Sequence, residues 1–394
     1  MNGLFTCLYC GSDKQQSESS LEHAIPQFMG GECAPKKFQL TNVCRQCNNG
    51  LGLWVDASYA KSWFVTNQMA EAAQLLCTKV EDPGLPLRYI GKMKISNLKM
   101  PDEYISEHWV GPFGETIAWI RPHDERMDSY AGGNPTETKK KQSVAFFFPT
   151  AKSLEKNLIG IRSFHRFLKK RKVRKILCAQ FFDSQENAIS PEIMGFDSPN
   201  SEDLTNRDII RQLIQKGSIR GQIIIDTKFD QRFICKLMLG IGYALFDEDF
   251  LENSTVIEAR RGVWPKKDGE ISKIHGASTY SLLKCHKFLG AAAGYPGAVV
   301  ITIMRISDSW SMCVTINEKF PFIIELGPIT MTSQYINPEE GYVLLLFPYI
   351  EESIELTATA LFAHQSGRMK NSKLKQIDEK LEMANIFNLD LSIV

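Results

Sequence analysis

The chain reads as an α+β protein: a small zinc-stapled unit of two strands and a helix at the N-terminus, followed by a larger mixed α/β domain. Three observations lead to this class. Two C-x2-C pairs, Cys7/Cys10 and Cys44/Cys47, bracket a short hairpin pattern. Beyond them β-rich stretches and helical periodicities are mixed, with no internal repeat. The run Asp82-Pro83-Gly84-Leu85-Pro86 breaks the pattern between the two parts. The expected domains are therefore 1–82 and 83–394, the second with two lobes divided near 183–203.

Leu21 to Ile25 predicts one strand and Phe38 to Val43 its antiparallel partner, with Gly30-Gly31 as a turn and a polar loop through Pro35-Lys36-Lys37. From Leu51 to Leu76 no proline intervenes, and Trp54, Ala57, Lys61, Val65 and Met69 recur at helical spacing, predicting one long helix. Strands follow over 87–95, 116–121 and 143–149, a helix over 152–170 and a strand over 176–182. The connector 183–200 carries Pro, Ser and Asn. Helices over 204–216 and 229–250 come next, the second strongly apolar. Strands over 298–306, 312–316, 320–326, 342–347 and 354–360 precede a charged closing helix over 370–386.

At 394 residues, 43% hydrophobic and 23% charged, the composition is that of an ordinary globular chain long enough for more than one domain. A net charge of +1 supplies no global field toward nucleic acid, so any such binding relies on local patches. Of the ten cysteines, those outside the two pairs are scattered, which fits a reducing compartment better than a disulfide framework. Too few residues precede Cys7 for a signal peptide, and the apolar runs are too short or interrupted to span a bilayer, so a soluble cytoplasmic protein is expected.

Four thiolates in two knuckles suit one tetrahedral zinc, and filling all four positions with sulfur leaves it no open site. The ion is a staple, and any reaction must lie elsewhere. Between the knuckles stand Glu22-His23-Ala24-Ile25-Pro26, and Asn48 follows Cys47. A neutral imidazole can take a proton from water at physiological pH, which makes His23 the candidate general base. Glu22 points to the opposite face of a regular strand, so a bulge or the strand's end is needed to bring both side chains to one site. A carboxylate and an amide oxygen suit a hard cation such as Mg²⁺ or Mn²⁺.

This constellation resembles the HNH, or ββα-metal, nucleases, in their four-cysteine branch similar to endonuclease VII. Glu22-His23-x-x-Pro26 also resembles the Asp-His-x-x-Pro signature of the HNH domain in RNA-guided nucleases. The resemblance covers roughly the first sixty residues. It implies metal-dependent hydrolysis of DNA phosphodiesters that leaves 5′-phosphates, with Glu22 and Asn48 on the catalytic cation. Glu22 stands where members often carry Asp, and no histidine occupies the usual third position on the helix. Asp56 lies near that position and is read either as a further oxygen ligand or as a solvated helix residue. Asn49 can exchange roles with Asn48, although adjacency to Cys47 favours Asn48.

A basic run spans 162–175, in which Arg162, Arg166, Lys169, Lys170, Arg171 and Lys172 are candidates for phosphate contact, without an acidic residue between them. The competing reading is a solvated helix face with Phe164, Phe167 and Leu168 packed inward. The sequence thus predicts an HNH endonuclease acting on DNA, with RNA left open, in defence against foreign DNA and regulated by a ligand, partner or oligomerisation. Two other readings are a non-catalytic zinc-knuckle binding protein and a toxin-like effector restrained by a partner.

Overall fold

The computed structural model describes residues 3–77, 84–150, 154–182, 185, 187–217, 219–265, 273–278 and 286–384. The chain divides into two compact units, residues 1–60 with 226–383, and residues 61–225 with 384–394.

The first unit opens with a small hairpin, β1 (Leu4–Thr6) and β2 (Asp13–Gln15), which closes the first knuckle. A second hairpin follows, β3 (Ser19–His23) with β4 (Gln39–Cys44). Helix α1 (Arg45–Leu51) then runs into a wide π-helical turn, Gly52–Asp56, and a short helix α2 (Ala57–Ala60). The single helix predicted over 51–76 is corrected here. Helix begins earlier, at Arg45, so that Cys47 and Asn48 are themselves helical, and it stops at Ala60. The Gly52 amide still bonds to the Asn48 and Asn49 carbonyls where the helix widens.

In the second unit, α3 (Trp63–Leu75) starts from Ser62, whose hydroxyl accepts a bond from the Val65 amide at 3.3 Å. Strands β5 (Arg88–Met93), β6 (Tyr104–Val110) and β7 (Thr116–Pro122) follow, then α4 (Pro135–Lys140), β8 (Ser143–Phe148), α5 (Leu154–Leu168) and β9 (Val173–Leu177). A small hairpin of β10 (Phe181–Phe182) with β11 (Ala188–Ile189), the helix α6 (Ser201–Gln215) and the strand β12 (Gly221–Gln222) complete it. The main sheet runs β12-β5-β6-β7-β8-β9, antiparallel except for the β8–β9 pair, which α5 connects. Side-chain alternation splits its core: Trp109, Trp119, Phe147 and Phe164 gather in one cluster, and Ile120, Phe146, Ile176 and Ile210 in another.

The chain then returns to the first unit. The long α7 (Thr227–Leu251) is kinked at Asp247, where φ is +49°, and α8 (Ser254–Val263) follows. Beyond β13 (Gly276–Ala277) and α9 (His286–Ala293) lie β14 (Val299–Ile306), β15 (Ser309–Ile316), β16 (Lys319–Pro328), β17 (Tyr342–Phe347) and β18 (Glu352–Leu356). They form an antiparallel sheet in the order β13-β16-β15-β14-β17-β18. Helices α10 (Ala358–Gln365) and α11 (Ser372–Ala384) close the described chain. The strand predicted over 354–360 ends at Leu356, because the Thr357 hydroxyl accepts from the Ala360 amide at 3.2 Å and starts α10.

The N-terminal elements are built into the C-terminal half of this first unit. Gly240 on α7 lies so close to the hairpin end that a Cβ there would sit 3.0 Å from Ala24 Cα. Two turns away, Phe233 stacks on Tyr59 with ring centroids 3.8 Å apart. Arg260 of α8 donates to the Leu8 carbonyl at 2.7 Å, and the Ser353 hydroxyl donates to the Cys33 carbonyl at 2.6 Å. The division expected at 82/83 therefore does not coincide with the compact units, and the connector near 183–203 lies inside the second one.

Candidate active site

The first knuckle turns at Gly11, whose φ of +68° a residue with a side chain adopts only with strain, and whose amide bonds back to the Cys7 carbonyl at 2.8 Å. The second knuckle is the end of β4 and the first turn of α1. Together they bring the sulfurs of Cys7, Cys10, Cys44 and Cys47 within 4.8 Å of one another. The spacing and the all-sulfur donor set fit one tetrahedral zinc, and the Cys44 amide donates to Cys7 Sγ at 3.3 Å as thiolate ligands accept. Crowding separates the thiol acidities: the hydrogen bond from Cys47 holds Cys7 down to about 4, and the same contact pushes Cys47 up.

Glu22, His23, Asn48 and Asp56 line one pocket of about 360 Å³, together with Pro26 and Phe28. A register shift between Ser20 and Glu22 in the β3–β4 pairing interrupts the alternation, and Glu22 and His23 both face the pocket. Asn48 donates its amide to the Leu21 carbonyl at 2.8 Å and to the Ser20 hydroxyl at 3.2 Å. It thereby ties the first turn of α1 to the strand that carries the acid and the imidazole, and its Oδ1 is left as an acceptor.

The sequence reading did not anticipate Lys236. This residue of α7 is 1% exposed, and its ammonium donates to Glu22 Oε1 at 2.9 Å and to Asp56 Oδ2 at 2.8 Å. Tyr9, within the first knuckle, donates its hydroxyl to the same Glu22 oxygen at 3.3 Å. Burial would drive the Lys236 pKa down, but Asp56 and Glu22 override it and hold the pKa above the usual lysine value. Burial lifts the Asp56 carboxyl against the pull of Lys236, and burial with the nearby acids raises Tyr9 far above its ordinary range. The signal for Lys236 was a single charge inside the apolar run 233–246. Its partner Asp56 stands 180 residues away, beyond the reach of local pattern.

Residues 7–64 match the family model described as HNH endonuclease. The N-terminal segment fits an HNH motif with a four-cysteine site of the zinc-binding kind. No curated protein and no solved structure matches the chain. The HNH segment implies nuclease activity and a nucleic-acid substrate, and no helix among the described residues is long and apolar enough to cross a membrane.

Beside the His23 imidazole, the HNH pocket offers the oxygen donors of Glu22, Asn48 and Asp56 for a second, hard cation. Asp56 Oδ1 is buried without a hydrogen-bond partner, which is the environment a cation ligand needs. Asp56 is thus not a solvated helix residue, and each of the two carboxylates gives one oxygen to Lys236. The basic run lies in the other unit, and the structure distributes its members unequally. Lys169, Lys170 and Lys172 are exposed. Arg166 donates to the Gly84 carbonyl. Arg171 is turned inward over the Trp119 and Phe167 rings, 4.7 and 4.4 Å from their centroids, and burial holds its pKa at about 10. Its cation is spent on the aromatic core, so Arg171 is withdrawn from the phosphate-contact set.

Proposed function

We propose that the HNH segment hydrolyses DNA phosphodiester bonds, with His23 as general base and Glu22, Asn48 and Asp56 around one divalent cation. The observation that carries this reading is the convergence of those four side chains on one pocket beside the four-cysteine cluster. His23 lines the pocket wall and takes a proton from a water that attacks phosphorus, while the 3′-oxygen leaves. A bound Mg²⁺ or Mn²⁺ would supply electrostatic stabilisation to the pentavalent phosphorus and the departing oxygen. Asn48 keeps the β3 backbone and α1 in register, so that the imidazole and the carboxylate meet the same phosphate. The exposed lysines 169, 170 and 172 are proposed as phosphate contacts that position a duplex without reading sequence.

A nuclease motif built into a much larger chain suits a regulated effector, and restriction of foreign DNA in the cytoplasm is the setting we propose for it. The test is supercoiled plasmid with purified protein in Mg²⁺, Mn²⁺ or EDTA. Cleavage is expected with either ion and not with EDTA, and His23→Ala is expected to lower the rate by about 10²-fold or more with zinc content unchanged. Plasmid binding without cleavage under each ion would instead favour the non-catalytic zinc module. The commitment of both carboxylates to Lys236 is the observation on that side.

A further inference from the structure

We propose that Lys236 is the resident cation of the HNH pocket: its ammonium, held between Glu22 and Asp56, sets how tightly the site binds a divalent metal ion. The inference rests on the divalent-ion reading given above and adds a residue from outside the family segment, which ends at residue 64.

Four observations carry it. The ammonium lies within 2.9 Å of an oxygen on each of two carboxylates and is almost wholly removed from solvent. Its helix cannot easily swing away, because Phe233 is stacked on Tyr59 on one side and Gly240 is pressed against Ala24 on the other. Tyr9 completes the enclosure, with its hydroxyl on Glu22 and its ring centroid 6.0 Å from the ammonium. Asp56 Oδ1 remains buried and unpartnered, so the enclosure holds an acceptor that Lys236 does not satisfy. Two carboxylates and one ammonium leave a net charge of −1 in the pocket wall. A divalent ion entering it meets attraction from the acids and repulsion from the lysine, both in a low-dielectric setting where charge is poorly screened. Neutralising Lys236 removes the repulsion and leaves the oxygen donors in place. An ordinary structural ion pair would not have this effect on metal affinity.

The experiment uses the whole 394-residue, zinc-loaded chain, with Mn²⁺ affinity measured by calorimetry and bound Mn²⁺ counted by electron paramagnetic resonance. Lys236→Met and Lys236→Gln are expected to bind Mn²⁺ about tenfold more tightly than wild type or better, equivalent to about 1.4 kcal/mol. Lys236→Arg keeps the charge and is expected to stay near the wild-type value. The neutral variants should also melt at lower temperature without Mn²⁺ and gain more from it than wild type does. Equal or weaker Mn²⁺ affinity in neutral variants that keep their zinc and helical content overturns the inference. If both neutral variants fold only when Mn²⁺ is present, the inference stands; if Mn²⁺ restores neither, it falls. Plasmid cleavage by wild type reports separately on the nuclease reading. Its absence would overturn that reading while leaving the affinity comparison intact.

Discussion

At the level of single residues, Glu22 shows how a motif acquires meaning only from its surroundings. One of its oxygens accepts from both Tyr9 and Lys236, and the residue is 5% exposed. An acid so placed is held in one orientation by groups that the hairpin does not contain. The cysteine cluster is the more self-contained feature, since its four sulfurs come from two short segments that one metal ion would link. Replacing Cys44 by Ser should remove a thiolate and weaken zinc binding by several kcal/mol, because structural zinc sites contribute their binding energy to folding. Zinc content by atomic emission and a loss of the cooperative melt of the first unit would register it. Retention of stoichiometric zinc with an unchanged melt would mean that the cluster is not the staple.

At the level of elements, a continuous apolar strand was legible and one interrupted by polar residues was not. β17 matches its predicted bounds, whereas β6 went unpredicted because Ser106, Glu107 and His108 interrupt its apolar pattern. Those residues are inside the protein for different reasons. Glu107 pairs with Arg121, both essentially without solvent contact. His108 has neither ring nitrogen bonded, and burial lowers its pKa from 6.5 to about 4. The folded state therefore holds this histidine neutral where the unfolded chain binds a proton. Its contribution is fully present above about pH 6.5 and is lost as the pH falls toward 4, by at most about 3 kcal/mol. His108→Phe should flatten that part of the stability–pH curve in urea titrations. An unchanged acid limb would assign the loss to other groups.

Helix boundaries failed for a related reason. The periodicity of Trp54, Ala57 and Lys61 continues across a π-helical turn and a capping serine, and neither alters the apolar spacing on which the reading of one long helix rested. The site itself was readable to the extent that its residues are neighbours in sequence. The four cysteines stood out by their spacing, and Glu22, His23 and Asn48 by their position between and beside the knuckles and their resemblance to a known motif, whereas Lys236 lay beyond either signal. The inward turn of Arg171 was equally hidden, since a basic run reads alike whether its side chains face water or a tryptophan.

For the whole molecule, the decisive fact is that the HNH segment, up to residue 60, shares a compact unit with residues 226–383. Ala24, Leu8, Cys33 and Tyr59 each meet a group from that later stretch. A fragment of residues 1–82 should then retain zinc and yet fail to hold the pocket, leaving Glu22 and Asp56 without their counter-charge and Tyr59 without its stacking partner. Limited proteolysis should cut the fragment at least about tenfold faster than the same residues in the full chain, since removing one member of a buried ion pair costs about 3–5 kcal/mol. Equal resistance would make the segment an autonomous domain.

Lys236 also has a bearing on synthesis. A ribosome emits Cys7 through Asp56 first and reaches position 236 only after 180 further residues beyond Asp56. At translation speeds of about 5–20 residues per second, that interval is roughly ten to forty seconds. During it the nascent hairpin can carry its zinc, while the ammonium-bearing helix is still missing from the pocket. Assembly order alone thus leaves the two carboxylates without their counter-charge while the chain's own message is still being read.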